Sequence, residues 1–309
     1  MINRRHIITV TLALPLAWMP ATAFAQGADK LPVVASFSIV ADFVREVGGD
    51  RIALTTIVGP GGDGHVYSPT PMDAKTLAAA KVIVVNGLKF EGWMDRLIKA
   101  SGAKGRVITA AQGIKIRNVP HRHGHKDHHG HDHSGGADPH AWQSVANARR
   151  YVENIRNGLI AADPEGKAVY ETNAASYIAR LEALDKEIKS VFEGIPKERR
   201  VLITSHDAFG YFGPAYGFRL ISPVGVSTES EASAKDVAII IREIKRRKAA
   251  AVFMENVSDP RLAKRIADET GAKIGGTLFS DALTAKDGLA PDYIAMMRHN
   301  AKTIADALK

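Results

Sequence analysis

Between Pro164 and Pro196 the chain carries no proline, and its apolar side chains fall on one helical face. Tyr177, Leu181, Leu184, Ile188 and Val191 step by 4, 3, 4 and 3, the spacing of a single amphipathic stripe. Asp163-Pro164 reads as an N-cap followed by a proline in the first turn. The pattern predicts one helix of about 29 residues, roughly 43 Å long, which is enough to run the length of a two-lobed body.

On both sides of that helix, short apolar runs alternate with helical patterns, which argues for an α/β architecture with mainly parallel sheets. Candidate strands before it are Val33–Phe37, Ala53–Val58, Lys81–Val85 and Arg106–Thr109. Those after it are Arg200–Thr204, Arg219–Ser222, Ala250–Met254 and Lys273–Leu278. The expected layout is a signal peptide over 1–25, an N-terminal lobe over 26–163, a linking helix over 164–193 and a C-terminal lobe over 194–309. The signal peptide rests on basic Arg4 and Arg5, an apolar stretch from Ile7 to Trp18, and Ala23-Phe24-Ala25 as a small-x-small cleavage site. An ordinary secretory leader fits better than a twin-arginine one, and export points to the periplasm.

Composition closes off several classes. With 45% hydrophobic residues over 309 positions the chain can bury a sizeable core, and without a cysteine it is no disulfide scaffold. The absence of cysteine at the cleavage site also leaves lipid attachment there without an acceptor. The net charge of +8 comes from scattered Lys and Arg, so no nucleic-acid partner is expected. The one basic run, Lys245-Arg246-Arg247-Lys248, reads as a helix C-terminus. No later stretch reaches the roughly 20 apolar residues of a membrane span, so no membrane insertion is expected.

One segment is alien to its surroundings. From His121 to His133 the chain reads HRHGHKDHHGHDH, with histidine at 121, 123, 125, 128, 129, 131 and 133 and no apolar side chain. Such a stretch cannot offset the entropy of ordering by burial, and it is expected to be a loop whose imidazoles capture a borderline metal ion weakly. Outside this loop and the leader only His65, His140, His206 and His299 remain. The first three stand where an apolar strand or a loop gives way to a helix, and Asp281 has the same strand-end placement. In open α/β sheets such positions converge on one crevice. His299, on the last helix, reads as a structural residue.

The segments GDGHVYSPTP around His65, DPHAWQ around His140, SHDAFGYF around His206 and LFSDAL around Asp281 occur in this order over nearly the whole chain. Together they resemble the metal-binding receptors of bacterial zinc and manganese ABC importers. The likeness is closest to zinc receptors of the ZnuA and AztC type, which insert a histidine-rich loop before the second histidine. The resemblance implies two α/β lobes joined by a rigid helix, with metal in the cleft between them. It assigns His65 and His140 to the first lobe's ligands and His206 and Asp281 to the second's. It also implies an ABC permease with a cytoplasmic ATPase as partners; a monomer is expected, and a periplasmic zinc chaperone is a further candidate partner.

The chemistry of that set points to Zn²⁺. Three neutral imidazoles and one carboxylate make a closed tetrahedral shell with no obligatory open position for a catalytic water. Nitrogen-rich sites hold zinc above manganese, although the same ligand types can serve Mn²⁺. Gly64 precedes His65, so no glutamate stands there and reliance on Asp281 grows. The chain has no H-E-x-x-H, no G-x-S-x-G and no phosphate-binding loop, so an exported zinc hydrolase is disfavoured. A zinc-buffering chaperone remains as a non-transport alternative. Asp207, Asp138, Asn86, Glu91 and Glu255 are candidates for orienting the ligands, but the expected role of each is a cap, turn or salt bridge, with Asp138 before Pro139 a plain turn signal.

Overall fold

The computed structural model describes residues 29–119, 136–247 and 249–309. In the first half, strands β1 (Leu31–Phe37), β2 (Ile52–Val58), β3 (Val82–Val85) and β4 (Arg106–Thr109) form one sheet in the order β2-β1-β3-β4. Every pairing in it is parallel. Helices α1 (Ser38–Gly48), α2 (Pro71–Ala79) and α3 (Met94–Ser101) connect the strands. All four residues of β3 and the last five of β1 are buried, as a parallel sheet covered on both faces requires.

Helix α4 (Val145–Ala162) leads into α5 (Lys167–Glu193), which has 27 residues and is about 40 Å long. It starts slightly later than the sequence suggests. Asp163 heads a separate 3-10 turn, Pro164–Gly166, because its carboxylate is held by Arg51 at 2.9 and 3.0 Å and by the Tyr170 hydroxyl at 2.6 Å. The apolar stripe of Tyr177, Leu181, Leu184 and Ile188 is fully buried, but it ends on Phe192 while Val191 is only half-buried. Helix α5 lies against α1 and α4, and also against α9 (Tyr293–Leu308) at the end of the chain.

After α5 come β5 (Val201–Ile203), α6 (Phe212–Tyr216), β6 (Arg219–Ile221), α7 (Ala234–Arg247), β7 (Ala251–Glu255), α8 (Pro260–Thr270) and β8 (Lys273–Leu278). Strands β5 and β6 pair in parallel, as do β7 and β8. The apolar side chains form two clusters. The larger runs from the first sheet through α5 to α9 and includes Phe253 and Leu278. The smaller lies on the other face of β5 and β7, under Ile240, Ile241 and Ile244 of α7 and Ala263 and Ile266 of α8.

Candidate metal centre

His65 sits in the loop between β2 and α2, where the Asp63 carboxylate accepts its backbone N–H at 2.9 Å. The carbonyl of Gly64 accepts from Trp93 Nε1 at 2.8 Å. A Cβ on Gly64 would lie 2.5 Å from the Phe90 ring, so no larger residue fits beside this histidine. His140 precedes a 3-10 turn, Ala141–Gln143, which opens α4. His206 follows β5, and its backbone N–H donates to Glu255 Oε1 at 2.8 Å. Asp281 follows β8.

These four side chains meet. One ligand atom from each lies within 4.8 Å of all the others, and all four residues are buried. His65 Nε2 is 3.2 Å from His140 Nε2. Asp281 is 3.5 Å from Nε2 of His65, 3.5 Å from Nε2 of His140 and 3.1 Å from Nε2 of His206. Zn–N and Zn–O bonds of about 2.0–2.1 Å in a tetrahedron put ligand atoms about 3.3 Å apart, so the spacings fit one ion. Among the described residues neither Asp281 oxygen accepts a conventional hydrogen bond, which leaves a buried carboxylate facing only imidazole nitrogens.

The electrostatics suit a cation. Burial opposes charge on Asp281, yet His140 and His206 outweigh it and hold the carboxyl well below its usual range. Burial likewise opposes charge on His206, but Glu255 and Asp281 prevail and hold the imidazole well above its usual range.

Two residues expected to be mere turn or salt-bridge formers stand directly behind the ligands. Asp138 Oδ1 is 2.8 Å from His140 Nδ1, and Glu255 Oε2 is 2.7 Å from His206 Nδ1. Asp138 fixes the His140 ring by this hydrogen bond so that Nε2 faces the centre, while Glu255 stands against the His206 ring as a charge without hydrogen-bonding geometry. Asn86 holds the second ligand segment by its backbone, donating to the Pro139 carbonyl at 3.0 Å. Glu91 stays off the ligands and accepts from Ser36 and from the Asn86 backbone. Asp207 pairs with Arg117. His299 is structural, as expected, 3.0 Å from the Thr277 carbonyl. The histidine-rich segment, with His121, His123, His125, His128, His129, His131 and His133, lies outside the described residues.

The Asp281 loop is bonded to both halves: Ser280 N donates to Asn256 Oδ1 at 3.0 Å and the Ala282 carbonyl accepts from Asn256 Nδ2 at 3.1 Å, just after β7. The Ser280 carbonyl accepts from Trp142 Nε1 at 2.9 Å and Gln143 Nε2 at 2.7 Å. Leu283 N donates to Ser38 Oγ at 3.0 Å, and its carbonyl accepts from Gly61 N at 2.8 Å. Nothing local in the sequence signals the contacts to the first half, because the partners lie more than a hundred residues apart.

The family model for ZnuA, the periplasmic component A of a zinc-uptake complex, matches residues 33–307. The chain belongs to the ZnuA family. The iron-binding protein YfeA of Yersinia pestis is 34% identical over 279 residues, covering 90% of this chain and 86% of its own. The manganese ABC transporter substrate-binding lipoprotein PsaA of Streptococcus pneumoniae is 33% identical over 300 residues, covering 95% and 94%. Among solved structures, the periplasmic zinc-binding protein TroA of Treponema pallidum superposes with a TM-score of 0.82 at 31% identity, covering 90% of this chain and 99% of its own. A ZnuA-family member is the metal-binding receptor of an ABC importer, its substrate-binding component and not an enzyme. Family members work with a permease and an ATPase. No helix among the described residues is long and apolar enough to cross a membrane.

Proposed function

We propose that this receptor carries Zn²⁺, bound by Nε2 of His65, His140 and His206 and by the Asp281 carboxylate. The observation that carries this reading is the convergence of three buried imidazole nitrogens and one carboxylate within a single ion's reach. A set of three nitrogens and one oxygen favours zinc over manganese or ferrous iron by the Irving–Williams order. Relatives named for iron, manganese and zinc share the family, so the preference rests on this donor set and not on their names. A cavity of about 560 Å³ opens beside His206, lined also by Asp63, Ser205 and Thr228, and serves as the way in from solvent.

The histidine-rich segment adds weak capture of the same ion. Its last histidine, His133, stands seven residues before His140, so an ion caught there has a short transfer to the tight site. Residues 1–25 direct export to the periplasm, where the receptor works as a monomer. Competition decides the cargo: the metal-free protein is offered equal Zn²⁺, Mn²⁺ and Fe²⁺ without oxygen and weighed by native mass spectrometry. Zinc in the tightest site of the wild type, and its loss in His140→Ala, are the expected results. Manganese retained against equal zinc would overturn the assignment.

A further inference from the structure

Arg117 lies just before the point where Asn118 and Ala137 pair as an antiparallel bridge. Its backbone is fixed on both sides: the N–H donates to the Tyr211 hydroxyl at 2.9 Å, and the carbonyl accepts from Asp138 N at 2.8 Å. Its guanidinium donates to Asp138 Oδ2 at 2.8 Å and reaches Asp207 Oδ2 at 3.3 and 3.4 Å. One cation therefore joins two acidic residues, each close to a different ligand histidine. The second loop approaches so closely that a Cβ on Gly210 would fall 2.0 Å from Asp138 Oδ2 and 2.3 Å from Arg117 Nη1.

Asp138 is completely buried and serves two groups of His140, accepting its backbone N–H at 3.0 Å and standing 2.8 Å from Nδ1 through the same Oδ1. Only its other oxygen is left for Arg117. A rigid guanidinium on that oxygen fixes the plane of the carboxylate. A buried carboxylate stripped of its cation carries a large desolvation penalty and relaxes by turning away. His140 then loses the acceptor that holds its ring in place.

We propose that Arg117 is a positioning residue of the metal site. Through Asp138 it orients His140, and through Asp207 it holds the loop that carries His206 against the rest of the site. The inference rests on reading His140 and His206 as ligands.

The test uses the full chain and two probes, Zn²⁺ for affinity and Co²⁺ for ligand geometry through its d–d absorption. Wild type and His140→Ala come first: if they bind Co²⁺ with the same spectrum, the ligand reading fails. With that control passed, Arg117→Ala should raise the zinc Kd about 10–100-fold, the range for losing an orienting partner. It should also change the Co²⁺ spectrum and speed zinc release to a chelator. Arg117→Lys restores charge at one point only and should recover part of the affinity. A zinc Kd within about twofold of wild type together with an unchanged Co²⁺ spectrum overturns the proposal. If Arg117→Ala does not fold, Arg117→Lys and Asp207→Asn decide: both should release zinc faster than wild type, and unchanged release in both overturns it.

Discussion

Glu255 stands 2.7 Å from Nδ1 of His206, on the side of the ring opposite Asp281. The imidazole is thus flanked by two carboxylates, which hold it well above its usual range despite burial. The two carboxylates favour the protonated imidazole, and a proton held there must leave before an ion can bind. Zinc binding at pH 7.5 should therefore release protons. Titration calorimetry in buffers of different ionisation enthalpy measures this, and equal heats in all buffers would contradict the arrangement. In Glu255→Gln the release should shrink and zinc affinity fall about 10–100-fold.

The same shift sets the pH dependence of zinc stabilisation. A histidine raised in the folded state contributes stability that is fully present below its unfolded value near ~6.5 and is lost as pH rises through the folded value. The metal-free protein thus loses this contribution as pH rises, while zinc meets less competition from protons. The zinc-induced rise in Tm should be larger at pH 7.5 than at pH 5. Equal shifts at the two pH values would rule out a histidine-based site.

Asp281 supplies the only carboxylate among the four side chains that meet. Its replacement by Ala should weaken zinc less than loss of a histidine, since water can occupy the vacated position. Binding of manganese, which depends more on oxygen donors, should suffer most. Competition against a fluorescent chelator for both ions checks the order, and equal losses for the two metals would contradict it.

Asp42 offers a pH effect away from the metal. Burial pushes its carboxyl up to about 6, although it accepts from Tyr293 N at 3.0 Å and from Arg45 at 3.0 Å. The folded state here binds the proton more tightly than the unfolded chain. Stability should fall as pH rises from about 4 through about 6, by up to about 3 kcal/mol, and level off above. Urea unfolding of the metal-free protein should show this slope, and Asp42→Asn should flatten it. An unchanged slope in the variant would assign the effect elsewhere.

Deleting 121–133 should leave the tight site intact and remove further, weaker zinc binding. The segment has no apolar residue to give to a core, and shortening a connection changes closure entropy only slightly. Native mass spectrometry of the deletion protein should count one ion where the full chain takes more. Loss of the tight site with the loop would make the loop a primary ligand.

All eight strands were legible as short apolar stretches between helical patterns, most plainly where both faces are buried, as in Val82–Val85, and less so in Lys273–Leu278, which is largely exposed or half-buried. The start of α5 was not, because an Asp-Pro pair signals a helix N-terminus equally well whether a 3-10 turn or an α-helix follows. The four motif residues were found by local context and resemblance. Of their supports, Glu255 and Asp138 stood among the candidates but could not be told from a cap, turn or salt bridge, and Arg117 was not visible at all: Glu255 is 49 residues from His206, and Arg117 is 90 from Asp207. At Asp138 the turn signal was real, and it hid the second task of the same carboxylate. Such pairings are set by how strand ends meet in space, which no spacing along the chain records.

The binding of the Asp281 loop to Ser38, Gly61, Trp142 and Gln143 changes what an opening motion can do. The same loop is also held by Asn256 after β7, which donates to the Ala282 carbonyl and accepts from Ser280 N, so Asp281 is tied to both halves of the chain while His206 follows β5. A movement of one half against the other would have to break one of these two sets of bonds before Asp281 could part from the three histidines.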